Sequence, residues 1–205
     1  MDSIIKRGFV SIEEGQIHYR TFGSDNNPPL VMLHGSPLSS YSIESLILTM
    51  GKYFKVYAPD TIGNGDSCAQ GTYPVTIEYL ADAMLRAMSK LNLDNFFLYG
   101  FHTGGNIGIE AAIKNPKMVR KLIIDGLGLY SEEYKKRLLD NQAPEIYPDL
   151  DGTQFLKAWH LIRDGKIFWP WWNRTNNGAR GLGLPGEMEL HKEVMELLKS
   201  ISTYH

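Results

Sequence analysis

The residues best placed to do chemistry in this 205-residue chain lie between Leu98 and Gly105, which read Leu-Tyr-Gly-Phe-His-Thr-Gly-Gly. An apolar run, Asn95 to Tyr99, leads into Gly100-Phe101-His102-Thr103-Gly104, and a helical pattern follows at once. The spacing is that of a sharp strand-to-helix turn, Gly-x-nucleophile-x-Gly, with histidine in the nucleophile's place. Such a turn strains the backbone of its central residue and leaves no room for side chains two positions before and after it. Gly100 and Gly104 meet that demand around His102. Centring the turn on Thr103 would put Phe101 where a small residue is needed, so His102 is read as the tip. A neutral imidazole there can act as a nucleophile, or as a general base on water or on an acidic C–H or O–H group. The third reading is a turn kept as scaffold after catalysis has been lost.

The elements that must hold this turn read as alternating strands and helices. Gly8 to Ile12 and Gln16 to Thr21 alternate apolar and polar residues around Glu14-Gly15, as an antiparallel hairpin does. Leu30 to Leu33 is a short, continuously apolar run, expected of a strand covered on both faces. Phe54 to Ala58 predicts another buried strand, ended by Pro59, and residues 43–50 predict a helix. Thr76 to Leu91 carries Ile77, Leu80, Ala81, Met84, Leu85 and Met88 at helical spacing. After the strand at 95–99 comes a helix from about Gly104 to Lys114, stopped by Pro116, and then a strand from Val119 to Ile124. The alternation predicts a mostly parallel sheet with helices on both faces.

Three motifs then fall at the carboxyl ends of three strands, where ligand sites form in open parallel sheets. They are His34-Gly35-Ser36-Pro37, the run Asp60-Thr61-Ile62-Gly63-Asn64-Gly65-Asp66-Ser67, and the turn at 100–104. In order and spacing they resemble the α/β-hydrolase superfamily over about residues 8 to 130. The His-Gly-x-Pro form of the first loop looks most like the epoxide hydrolase and haloalkane dehalogenase branch. The resemblance implies an oxyanion hole built from two backbone N–H groups, those of Ser36 and Thr103. It gives His34 and Gly35 a loop-shaping role and makes Asp125, after the strand at 119–124, a minor candidate for the family's acid. The Asp60–Ser67 segment reads as a supporting glycine-rich turn with local side-chain hydrogen bonds.

Residues 131–205 form a different kind of sequence. Ser131 to Asp140, Phe155 to Arg163 and Met188 to Ile201 read as helices, and Tyr147, Trp159, Phe168, Trp169, Trp171 and Trp172 make the region aromatic. The expected organisation is therefore an α/β-hydrolase core at 1–130 and a helical cap or lid at 131–205, with some of the aromatics giving a pocket an apolar wall. No later strand pair bearing the family's acid and base is read past Leu129, so the chain is expected to be a fragment or a reduced domain. His160 and His191 read as surface or packing residues, and His205 is not assigned the missing base.

Composition narrows the function. A net charge of −2 gives no electrostatic case for nucleic acid. No stretch approaches a membrane span, the first ten residues lack a signal-peptide core, and the single cysteine, Cys68, fits a reducing, cytoplasmic compartment. Neither a metal nor a cofactor is expected. The sequence thus favours an α/β-hydrolase-type enzyme acting on a small, largely apolar organic substrate through an ester, epoxide, C–C or related bond. The alternative is a catalytically silent small-molecule binder. Serine-type esterase chemistry at position 102 is not expected.

Overall fold

The computed structural model of the chain describes residues 4–68, 75–142, 144 and 146–200. They divide into two compact units, one ending at Gly128 and one beginning at Leu129.

The first unit is a six-stranded sheet. Its strands are β1 (Lys6–Ile12), β2 (Gly15–Phe22), β3 (Pro29–Leu33), β4 (Lys55–Pro59), β5 (Phe96–Phe101) and β6 (Val119–Asp125), in the spatial order β1-β2-β4-β3-β5-β6. β1 pairs with β2 and β2 with β4 antiparallel, whereas β3, β4, β5 and β6 run parallel. The expected strand pattern is present, with two adjustments. β5 runs on to Phe101 because Gly100 and Phe101 pair with Ile124 and Asp125. Pro59 is the last residue of β4 rather than the stop before it, a place where a missing N–H costs the ladder little.

Burial along β3 shows why these runs are strands. Val31 and Leu33 point into one apolar cluster, Leu30 and Met32 into the other, and all four are buried. A period of two with both phases apolar is what a central strand between two helical layers requires. On one face lie α2 (Ile77–Lys90) and α3 (Thr103–Lys114), burying Ala81, Met84, Met88, Ile107 and Ala111. On the other lies α1 (Glu44–Met50), which buries Ile47 against Val56 and Ala58. The helix expected over 43–50 is α1 preceded by a 3-10 turn at Ser40–Ile43. Each Met, Ile or Val among these contributes about 1.5–3 kcal/mol when removed from water, and each Ala less. Thr76 caps α2, its hydroxyl accepting from the Tyr79 N–H.

The strand order sets β3 between β4 and β5. The carboxyl ends of these three parallel strands are therefore neighbours, and all three sequence motifs emerge there. β6 is the sheet's edge, with Ile123 59% exposed.

The second unit holds α4 (Glu132–Asn141), α5 (Thr153–Ile167) and α6 (Glu187–Lys199). α5 packs on α6, and the Lys166 ammonium donates to Glu189 (3.1 Å) and Glu193 (2.7 Å) across that pair. Arg163 and Arg174 both close on the buried Asp164 carboxylate at 2.7 Å. Trp171 stacks edge-on against Trp172, and its indole N–H donates to the Gln142 carbonyl at 3.2 Å. No described helix is long and apolar enough to cross a membrane.

Candidate active site at the strand-to-helix turn

His102 sits at the tip of the turn between β5 and α3 with φ 48° and ψ −111°, and Thr103 is the first helical residue. A non-glycine residue at positive φ costs about 1–2 kcal/mol and persists only where its surroundings hold it. Here the His102 N–H donates to the Asp125 carbonyl at 2.9 Å, and its own carbonyl accepts from Gly105 (2.8 Å) and Asn106 (3.3 Å). Close packing completes the clamp. A methyl group on Gly100 would lie 2.3 Å from the Gly104 carbonyl oxygen. One on Gly104 would lie 2.5 Å from the Leu33 oxygen and 2.7 Å from that of His34. The first glycine lets the turn close on itself; the second lets α3 begin against the end of β3.

The loop after β3 meets the turn directly. A methyl on Gly35 would lie 3.2 Å from the Phe101 ring and 3.5 Å from the His102 Cβ. His34, 1% exposed, fixes this loop. Its Nδ1 lies 3.0 Å from the Gly35 carbonyl and its Nε2 accepts the Thr61 N–H at 3.0 Å. The N–H donation makes Nε2 the unprotonated nitrogen, so the proton sits on Nδ1 and donates to Gly35. The imidazole thus ties the loop after β3 to the loop after β4 and is saturated by that task. Ser36 and Thr103, the two expected N–H donors, flank the His102 tip, one in the loop after β3 and one at the first turn of α3. Neither N–H makes a hydrogen bond among the described residues.

The His102 side chain is exposed. Its ring stands edge-on to Phe101, centroids 4.2 Å apart, and one face lies over Gly126. A methyl on Gly126 would come within 2.9 Å of Cε1 and 3.0 Å of Nε2. Neither ring nitrogen makes a hydrogen bond among the described residues. Asp125 does not supply one: its carboxylate accepts the Tyr99 hydroxyl at 2.7 Å. Burial of the phenol, with the neighbouring Asp125 charge, pushes the Tyr99 hydroxyl above its ordinary range. Asp125 therefore contributes its carbonyl to the turn and its side chain to β5, and makes no side-chain hydrogen bond to His102.

A second cluster, centred on a buried pair, was not anticipated. The His18 Nδ1 donates to Asp60 Oδ2 at 2.8 Å, and both side chains are shielded completely. Asp60 also accepts from the Ser40 N–H (2.8 Å), the Ser40 hydroxyl (2.5 Å) and the Asp66 N–H (3.0 Å). Arg7 closes the cluster, donating to His18 Nε2 at 2.9 Å and to the Asp66 carboxylate. Burial raises the Asp60 carboxyl, but these donors outweigh it and hold the group well below the usual carboxylate range. Serine, histidine and aspartate are all present, yet the carboxylate lies between the other two. A nucleophilic triad needs the imidazole in the middle, so the cluster is a clamp. His18, Asp60 and Asp66 could together face a cation, and the Arg7 guanidinium already takes that part. The local bonds of the 60–67 turn, such as Asn64 Nδ2 to Thr61 Oγ1 at 2.9 Å, match its glycine-rich sequence. The contacts to His18 and Ser40 span 42 and 20 residues and left no local signal.

His160 and His191 are exposed on helices of the second unit, and His205 lies outside the described residues.

A mostly parallel sheet with a nucleophile-type turn after β5 and a His-Gly loop after β3 defines an α/β-hydrolase core, and the comparison with known proteins agrees. The sequence profile of the alpha/beta hydrolase fold matches residues 28–158, more than half of the chain, and the chain belongs to this family. Among curated relatives, an uncharacterized hydrolase of Saccharomyces cerevisiae is 28% identical over 134 residues, covering 64% of this chain and 46% of its own. The soluble epoxide hydrolase of Corynebacterium sp. is 34% identical over 112 residues, 53% of this chain and 37% of that one. Haloalkane dehalogenase 2 of Mycobacterium tuberculosis is 28% identical over 110 residues, 54% of this chain and 38% of that one. The chain thus aligns with under half the length of these relatives. Among solved structures, the epoxide hydrolase CorEH superposes with a TM-score of 0.74 at 22% identity, covering 97% of this chain and 71% of that one. The N-acyl homoserine lactonase AidH with bound N-butanoyl homoserine gives 0.69 at 21%, covering 97% and 68%. At these identities the superpositions speak for the fold.

Proposed function

We propose that the chain is a hydrolase of the α/β-hydrolase fold that acts on a small, largely apolar organic substrate, with His102 as the reacting group. The observation that carries this reading is the strained backbone of His102, φ 48°, which holds its imidazole at the tip of the turn; the Ser36 and Thr103 N–H groups are assigned to the oxyanion hole on the family resemblance. Strain of this kind is kept where a site needs it. For an ester, His102 takes a proton from water as the water oxygen bonds to the carbonyl carbon. The oxyanion is received by the two N–H groups, and the imidazolium returns its proton to the departing alkoxide. The epoxide hydrolase and dehalogenase among the relatives make epoxides and haloalkanes the next substrates to try. The helical unit from Leu129 onward is assigned the role of a cap on the strength of its aromatic content.

A second reading rests on the same imidazole. No carboxylate is hydrogen-bonded to it among the described residues, which suits a silent member that binds a small molecule without turning it over. One experiment separates the two: rates on a panel of p-nitrophenyl esters, epoxides and haloalkanes for the parent and for His102→Ala. The enzyme reading expects the parent rate to fall about a hundredfold or more in the variant. Equal rates, or none from either protein, would overturn it and leave the binding reading.

A further inference from the structure

β6 ends the sheet on one side and offers an unpaired row of backbone groups there. From Lys121 to Asp125 it pairs in regular register with Phe97 to Phe101 of β5. The Asp125 carbonyl accepts the His102 N–H at 2.9 Å, so Asp125 turns its backbone groups toward β5. These groups alternate in direction along a strand. Those of Lys121 and Ile123 therefore also face β5, and those of Leu122 and Ile124 face the open edge.

The side chains of this edge are apolar and open to water, Ile123 at 59% and Ile124 at 40%. Lys121, Ile123 and Asp125 share one face of the sheet. Leu122 and Ile124 share the other, against α3, where methyls on Gly108 and Gly105 would meet them at 2.9 and 3.0 Å. Lys121 is exposed and in no ion pair among the described residues. Asp125 is exposed and gives Oδ2 to the Tyr99 hydroxyl, which leaves Oδ1 for a second donor. The two opposite charges thus stand two residues either side of Ile123. An antiparallel copy of the same strand, turned about Ile123, sets Lys121 opposite Asp125 twice, Leu122 opposite Ile124 twice and Ile123 opposite itself. Turning about Leu122 instead sets Lys121 opposite Ile123, and turning about Ile124 sets Ile123 opposite Asp125. A register centred between residues sets an outward-facing backbone opposite an inward-facing one and loses the hydrogen bonds.

We propose that two copies of this chain pair antiparallel along β6, in the register centred on Ile123, and extend the sheet across a twofold axis. Leu122 of each copy faces Ile124 of the other, each such pair exchanging both of its N–H···O bonds. The two Ile123 side chains meet at the axis in a pair without backbone bonds, where Cα atoms approach to about 4.5 Å. The Lys121 ammonium of each copy reaches the partner's Asp125 on the same face. Charges that would stand unpaired opposite an apolar strand become complementary opposite their own copy, which makes the edge selective for itself. The pairing is independent of the chemistry assigned to His102.

Sedimentation velocity of the 205-residue chain over a concentration series is expected to show a monomer–dimer equilibrium. Lys121→Glu sets carboxylates opposite each other in both flanking pairs and should weaken the dimer about tenfold or more. Lys121→Glu combined with Asp125→Lys should restore it, a recovery that damage to the fold would not produce. Cross-linking checks the register without that double variant. In a Cys68→Ala background, which removes the single native cysteine, Ile123→Cys should give a disulfide-linked dimer on mild oxidation, because the facing Cα atoms lie within disulfide reach. Lys121→Cys should not, since its counterpart lies about 13 Å away along the partner strand. A monomer at every concentration would overturn the proposal and leave the edge to some other strand. A dimer untouched by Lys121→Glu, a folded double variant that stays monomeric, or equal cross-linking at positions 121 and 123 would overturn it as well.

Discussion

At position 102 the backbone and the side chain are held by different neighbours. Asp125 fixes the backbone through its carbonyl, whereas Gly126 makes room for the ring. Gly126 has φ +81°, where any side chain is strained, and its missing Cβ is the space the imidazole fills. Gly126→Ala is therefore expected to cost about 1–2 kcal/mol of stability and to push the ring off its place. If the proposed reaction is correct, misplacing the reacting group by about 1 Å should lower kcat by up to about a hundredfold, with a much smaller change in KM. Steady-state kinetics of Gly126→Ala beside a melting curve would show it, and an unchanged kcat would mean that the ring's present position is not the reactive one. His102→Ser poses the reverse question. The clamp would present a hydroxyl, but no described side chain is bonded at this place to act as its base. Little p-nitrophenyl ester hydrolysis should appear, and a large gain would reveal a base supplied from elsewhere in the chain.

Elements were legible where one residue type had one physical reason to be there. The continuously apolar run at 30–33 read as a strand covered on both sides. The 3.6-residue pattern from Thr76 onward announced α2, and Gly100 and Gly104 announced the turn. Glycine spacing showed that the turn was tight, but not what each glycine abuts. Gly104 faces the end of β3 rather than its own turn, a contact between elements about 70 residues apart in the sequence. The same limit hid the His18–Asp60–Ser40 cluster, Gly126 and the Tyr99–Asp125 bond, which depend on strand order and not on neighbours in sequence. Two substitutions test this packing account. Gly100→Ala, with 2.3 Å between its new methyl and the Gly104 oxygen, should destabilise the chain by about 3 kcal/mol or prevent folding, since backbone cannot yield as a side-chain tip can. Thr76→Ala removes only the bond to the Tyr79 N–H and should cost about 1 kcal/mol in urea denaturation. Equal costs would show that the close approach at the turn is relieved by backbone movement.

For the molecule as a whole, the buried Asp60 cluster joins four segments distant in sequence: β1 through Arg7, β2 through His18, the 3-10 turn through Ser40, and the loop after β4 through Asp66. Because the third of these follows the His34 loop directly and the last carries its Thr61 anchor, loss of the cluster should loosen the ground on which the proposed oxyanion site stands. The carboxyl is held below its unfolded value, which is about 3.9 for aspartate. The sign follows from proton counting. Around and below pH 4 the unfolded chain binds a proton at this group that the folded chain does not, so the stabilisation is complete above that pH and is lost as the pH falls. Urea unfolding should therefore show stability dropping between about pH 5 and pH 2, and Asp60→Asn, which cannot titrate, should show a shallower fall. At neutral pH the same variant should be less stable by about 3 kcal/mol, because it weakens three donors' hold on a buried acceptor and leaves His18 without its anion. A variant as stable as the parent at pH 7, with an identical acid slope, would mean that the clamp is replaceable and that the order of the loops after β3 and β4 comes from His34 alone.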